Sequence, residues 1–187
     1  MESMGEKLIE LAWRDLGNKP SDLKFESKGV RIPLKREYLS RIRSKEVRDY
    51  IKANLKDYYY TLKTDIQVYS RGEFKIAVEC KAYTENAMLK RILVDFTLLR
   101  QKFPNLSFVL LQLESQLGGD YSISKKNEYG SPSTHTLLSY FDIDLNIVTL
   151  LEGERDIRKP IHLVEFYKPL DKRSLLRTVD VFKKFLA

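Results

Sequence analysis

Residues 64–83, TDIQVYSRGEFKIAVECKAY, constrain the fold of this chain more than any other stretch. In the first half Ile66 and Val68 alternate with Asp65, Gln67 and Tyr69. In the second, Phe74, Ile76, Val78 and Cys80 alternate with Lys75, Ala77, Glu79 and Lys81. A period of two on both sides of Ser70-Arg71-Gly72-Glu73 predicts a β-hairpin of half-buried strands, with Gly72 free to take a positive φ in the turn. All the apolar residues just named have even numbers, so they share a face only if even pairs with even. A two-residue turn at Arg71-Gly72 pairs even with odd and splits the set. The pattern therefore predicts a three-residue turn or a β-bulge.

The register has a chemical consequence. Asp65, Glu79 and Lys81 fall together on the face opposite the apolar set. Two close carboxylates repel unless a cation sits between them. A few hard oxygen ligands with room for water and phosphate suit Mg²⁺, which polarises a phosphoryl oxygen and helps to generate hydroxide. A lysine beside the metal can orient or deprotonate an attacking water. The plainer reading is a surface hairpin carrying three solvated charges.

Asp65, thirteen intervening residues, then Glu79-Cys80-Lys81 resembles the PD-(D/E)xK nuclease superfamily, and within it the type II restriction endonucleases. The resemblance spans roughly residues 5–113, with a dissimilar stretch between Gly17 and Thr64. Thr64 stands where the name-giving proline would be. The resemblance implies that Asp65 and Glu79 bind the metal, that the Cys80 carbonyl joins them, and that Lys81 positions the water. Residues 3–16 look like the first helix of the same superfamily, where a glutamate near the start points at the metal. Glu6 and Glu10 match that position in different members, and Glu46 is a rival. Helix-dipole preference alone also places acids there.

The remaining chain fits an α/β fold. Leu8, Ile9, Ala12, Trp13 and Leu16 form a helical stripe closed by Gly17-Asn18. Residues 84–103 predict a helix with Ala87, Met88, Ile92, Phe96 and Leu99 inward, stopped before Pro104. Residues 106–113, LSFVLLQL, read as a strand buried on both faces. Strand, helix, strand implies a right-handed parallel crossover, hence a mixed central β-sheet flanked by helices, a restriction-endonuclease-like core. Residues 147–151 and 162–167 read as further strands and 174–186 as a final helix. The 187 residues suffice for a single nuclease domain spanning 1–187.

Charge bears on the partner. The net charge is +7, which favours a polyanion without establishing one. Residues 35–62 are dense in cations and tyrosine, with Arg36, Arg41, Arg43, Lys45 and Arg48 clustered. Phosphate contact and a solvated helix face are both open there. Lys90 and Arg91 near the start of the 84–103 helix are further candidates for DNA contact. So are Lys125, Lys126 and Asn127 in the polar loop 116–134, whose other reading is a mobile surface loop. The single Cys excludes a disulfide partner, and His135 and His162 are too scattered for a His metal site. No apolar run is long enough for a membrane span, so the expected compartment is the cytoplasm.

These features predict a Mg²⁺-dependent endodeoxyribonuclease acting on double-stranded DNA, sequence-specific and, on a palindromic target, a homodimer. A Holliday-junction resolvase or repair nuclease shares the chemistry. A non-catalytic DNA-binding module explains the basic charge but not the alignment of Asp65, Glu79 and Lys81. An interaction protein with a mixed sheet is a third class, marked by failure to bind DNA at low salt.

Overall fold

A computed structural model of the chain describes residues 1–119, 121 and 130–187. The chain divides into two compact units, one of Met1–Ser27 with Thr64–Ala187 and one of Lys28–Lys63. The Lys28–Lys63 unit falls in sequence between the two segments of the other.

In the first unit, helix α1 (Glu2–Asp15) buries Leu8, Ile9, Ala12 and Trp13, as the stripe predicts. It ends where Gly17 turns to φ +76°, with Gly17 N–H donating to Arg14 O and Asn18 N–H to Trp13 O. Strand β1 (Leu23–Glu26) follows. In the second unit, β2 (Val30–Pro33) pairs antiparallel with β3 (Tyr59–Leu62). Helix α2 (Lys45–Ala53) lies between them in sequence, capped by Ser44 Oγ, which accepts from Val47 N–H at 3.2 Å.

The hairpin is strand β4 (Ile66–Ser70) with strand β5 (Glu73–Thr84). Ile66 faces Val78 and Val68 faces Ile76, even with even. The register then shifts, so that Tyr69 faces Phe74 and Ser70 faces Glu73. The turn is therefore the tight two-residue Arg71-Gly72, at φ 51° and 83°. A bulge that leaves Lys75 over restores the even register, the second of the two expected solutions. Arg71 is held in the left-handed region by its N–H donating to Asp22 O at 2.8 Å and its guanidinium donating to Asn18 Oδ1 at 3.0 Å.

Helix α3 (Asn86–Lys102) carries the chain from β5 to β6 (Ser107–Ser115), which runs parallel to β5. After α4 (Pro132–Ser139), β7 (Leu145–Thr149) adds parallel to β6. The five-stranded sheet has the order β1-β4-β5-β6-β7 and is mixed, as expected. Helix α5 (Lys172–Leu186) closes the chain. Ile66, Val68, Ile76, Val78, Val109 and Leu111 pack on one face with α1 and with Val179 and Phe182 of α5. On the other face Phe96 of α3 meets Phe108 with ring centroids 4.8 Å apart. Both faces are covered, which is why residues 108–111 are fully buried. The strand expected at 162–167 is instead a short 3-10 turn, Val164–Phe166. It lies between Pro160 and Pro169, and Val164 is exposed, so no buried face supports pairing.

Candidate active site

Strand β5 places Glu79 and Lys81 two residues apart, hence on one side of the sheet. One step past the Ile66–Val78 pair brings Asp65 level with Glu79. Cys80 N–H donates to Asp65 Oδ2 at 2.7 Å, which fixes that carboxylate against the strand. The Lys81 ammonium then donates three ways: to Glu79 Oε2 at 2.6 Å, to Asp65 Oδ2 at 3.1 Å and to the Cys80 carbonyl oxygen at 3.2 Å. Three hard oxygens thus converge on one positive centre. They are the oxygens that the resemblance assigns to a metal, and an all-oxygen set of this kind fits a hard divalent cation. Among the described residues, no group of three metal-ligating side chains is assembled. The set is two carboxylates and a backbone carbonyl.

The electrostatics follow from burial. The Glu79 side chain is 12% exposed, against 29% for Asp65 and 30% for Lys81. Burial raises the Glu79 carboxyl above the usual range; Lys81 opposes this, while Asp65 and Asp95 add to it. For Lys81 burial acts downward, but the hydrogen bonds and charges of Glu79 and Asp65 outweigh it and the ammonium is held above its ordinary value. Burial also pushes the Cys80 thiol up to about 12, with Asp65 adding to it. The thiol lies on the α1 side of β5, where its sulfur comes 3.9 Å from the Cβ position of Gly5.

Lys81 is paired across the parallel ladder with Gln112 of β6, which is completely buried. Gln112 Nε2 donates to Thr149 Oγ1 at 3.0 Å, and among the described residues its Oε1 is a buried acceptor with no partner. A polar row thus continues from Lys81 across the sheet.

Asp65, Glu79, Cys80 and Lys81 come together. Glu6 and Glu10 do not: among the described residues, no hydrogen bond or ion pair joins either to the cluster. The reason is topological. Helix α1 lies on the even-numbered face of the sheet, whereas Glu79 and Lys81 point to the α3 face. Glu10 instead lines a cleft of about 110 Å³ with Trp13, Arg14, Pro20, Leu23 and Phe25. Glu46 is an exposed residue in the first turn of α2, in the other unit. Asp95 of α3 is the acid that sequence reasoning missed. It acts on Glu79, its own carboxyl is raised by burial, and Arg91 and Lys81 pull it back down. Its signal in the sequence is a lone acid set into the apolar run Ile92, Leu93, Val94 and Phe96. Lys90 and Arg91 are exposed on α3, and Arg41 and Arg43 are exposed in the second unit. Lys125, Lys126 and Asn127 lie outside the described residues.

A mixed sheet with a carboxylate pair and a lysine at the end of its central hairpin is the arrangement that the resemblance to the PD-(D/E)xK superfamily implies. No protein-family model matches the chain. It is 50% identical over 188 residues to the type II restriction enzyme DdeI of Desulfomicrobium norvegicum, across the whole of this chain and 78% of that protein. Among solved structures, the native BbvCI A2B2 tetramer at low resolution is similar with a TM-score of 0.44 and 11% identity. That likeness covers 68% of this chain and about half, 48%, of the other. The chain belongs to the family of type II restriction enzymes and is an endodeoxyribonuclease, a hydrolase. Among the described residues, no helix is long and apolar enough to cross a membrane.

Proposed function

We propose that the protein is a Mg²⁺-dependent type II endonuclease that cuts double-stranded DNA at a short specific sequence, works as a homodimer and acts in the cytoplasm. The observation that carries the metal assignment is the convergence of Asp65, Glu79 and the Cys80 carbonyl on a single cationic point. Asp65, Glu79 and that carbonyl would hold the ion. Bound there, Mg²⁺ supplies Lewis-acid polarisation of the phosphate and a more acidic water.

The chain's own residues do the rest. Cys80 N–H keeps the Asp65 carboxylate in place, so that this ligand is fixed before binding. The Lys81 ammonium gives up its position between the carboxylates and points its N–H donors at the attacking water and the phosphate. There its N–H donors orient the attacking water. Water adds to phosphorus in line as the bond to the 3′ oxygen breaks, and the proton the water loses is balanced by one taken up at the leaving 3′ oxygen, giving a 5′ phosphate and a 3′ hydroxyl. Lys90 and Arg91, and Arg41 and Arg43, are contacts for DNA phosphates. A palindromic target calls for two copies related by a two-fold axis.

The test is digestion of unmethylated phage DNA in Mg²⁺ and in EDTA, by the wild type and by Lys81→Ala. Discrete fragments in Mg²⁺ that vanish in EDTA and in the variant are expected. A smear contradicts sequence specificity, and discrete fragments in EDTA contradict the metal.

A further inference from the structure

The charge of this protein is divided unevenly between its two units. Lys28–Lys63 holds 11 Lys and Arg against 4 Asp and Glu, a net +7. The rest of the chain holds 22 of each sign, a net of zero. The whole positive excess therefore sits in a 36-residue segment that carries none of the residues of the Asp65–Glu79–Lys81 cluster. Ten of its eleven cations are exposed, Arg48 alone being half-buried.

The apolar surface of the second unit is of a particular kind. Tyr38, Tyr50, Tyr59 and Tyr60 are all exposed, with Val47 the one large aliphatic side chain exposed beside them. Exposed tyrosines pair a flat ring with a hydroxyl donor, which suits sugar, base and phosphate contact better than it suits an acyl chain. The local scaffold is built to present charge. Ser44 caps α2, and Lys45, Arg48 and Lys52 recur at a spacing that keeps them on adjacent turns. Arg36 and Arg41 bound the preceding 3-10 segment, and Arg43 lies just after it.

We propose that Lys28–Lys63 is the DNA-gripping module of the enzyme. It binds the phosphates of duplex DNA and supplies the larger share of the salt-dependent affinity, to which Lys90 and Arg91 add, while the electrically neutral first unit performs the cleavage. This rests on the protein being a DNA endonuclease and assigns a separate segment to the binding term. Each phosphate contact by a cation contributes a slope of about −0.9 to log K against log salt on B-form DNA. Replacing four contacting cations should flatten the slope by about 3 to 4. Between about 50 and 200 mM salt, the wild type then loses roughly 100-fold more affinity than the variant.

The experiment is fluorescence anisotropy of a labelled 30-base-pair mixed-sequence duplex with the full chain in EDTA, across a salt series. One variant carries Arg36→Gln, Arg41→Gln, Arg43→Gln and Lys45→Gln. A control carries Arg158→Gln, Lys172→Gln, Arg173→Gln and Lys184→Gln, four exposed cations of the first unit. A third carries Arg36→Lys, Arg41→Lys and Arg43→Lys, which keeps the charge. The first variant should show the flattened slope at an unchanged melting temperature, while the control and the lysine variant keep the wild-type slope. Equal flattening in the control, an unchanged slope in the first variant, or wild-type binding to phosphatidylserine vesicles but not to duplex would each overturn the proposal. The same preparations are tested for Mg²⁺-dependent cleavage. A wild type that cuts DNA while the first variant keeps its slope defeats this inference alone; a wild type that cuts no DNA defeats the endonuclease reading beneath it.

Discussion

Replacing Lys81 by Met removes the ammonium but keeps most of the stem, and the structure sets the size of the effect. The Asp65 and Glu79 oxygens lie 3.1 and 2.6 Å from the one Nζ. They are therefore no more than about 6 Å from each other, where two unit charges at an effective dielectric near 20 repel by about 3 kcal/mol. Lys81 and Asp65 are 30% and 29% exposed, so solvent screening brings the expected loss to about 1–2 kcal/mol. For a chain of this size that is about 2–8 °C in melting temperature. Two signs then separate this argument from a general loss of packing. Ca²⁺, which replaces the missing positive charge, should stabilise Lys81→Met more than the wild type, while the variant no longer cleaves in Mg²⁺. Acid should also close the gap. Glu79 has a raised folded value, so the folded chain takes up its proton before the unfolded chain does. Stability relative to the wild type is lost as pH rises through that raised value and returns as pH falls below it. The assay is thermal melting by circular dichroism in EDTA and in Ca²⁺, at neutral pH and near pH 5. A variant that melts with the wild type in EDTA and gains no more from Ca²⁺ refutes the reasoning.

Other outcomes follow from the same geometry. Asp95→Asn removes a charge that raises Glu79, so Ca²⁺ binding should persist to lower pH than in the wild type; an unmoved acid limb in a pH series of titrations contradicts the role given to Asp95. Cys80, with its thiol pushed up to about 12, should react slowly with Ellman's reagent at pH 8 in the native chain and rapidly in denaturant. The stability it contributes is intact below the free-thiol value near 8.5 and is lost as pH climbs towards about 12, so Cys80→Ala should melt with a shallower alkaline slope. Phe96→Ala empties a fully buried site against Phe108 and should cost about 3–5 kcal/mol by urea unfolding; a loss below about 1 kcal/mol contradicts the packing described for α3.

Much of the site was legible because a period of two leaves little freedom. The even-numbered apolar residues demanded a register, and the register demanded a three-residue turn or a bulge, of which the chain uses the bulge at Lys75. The same parity placed Asp65 beside Glu79 and Lys81. What was not legible came from how helices lie on the sheet. Glu6 and Glu10 have suitable chemistry and sequence position, but their helix covers the face to which Cys80 points. Asp95 was hidden in an apolar stripe whose period reads simply as core. The interruption at Lys28–Lys63 was invisible to periodicity, since two short strands separated by 25 residues show no pairing signal in one dimension.

The central claim, that Asp65, Glu79 and the Cys80 carbonyl form a cation site, is tested most directly by isothermal titration of Ca²⁺ into the wild type, Asp65→Asn and Glu79→Gln. Saturable binding by the wild type, lost in both variants while they remain folded, is the predicted result. Equal binding by all three would contradict it.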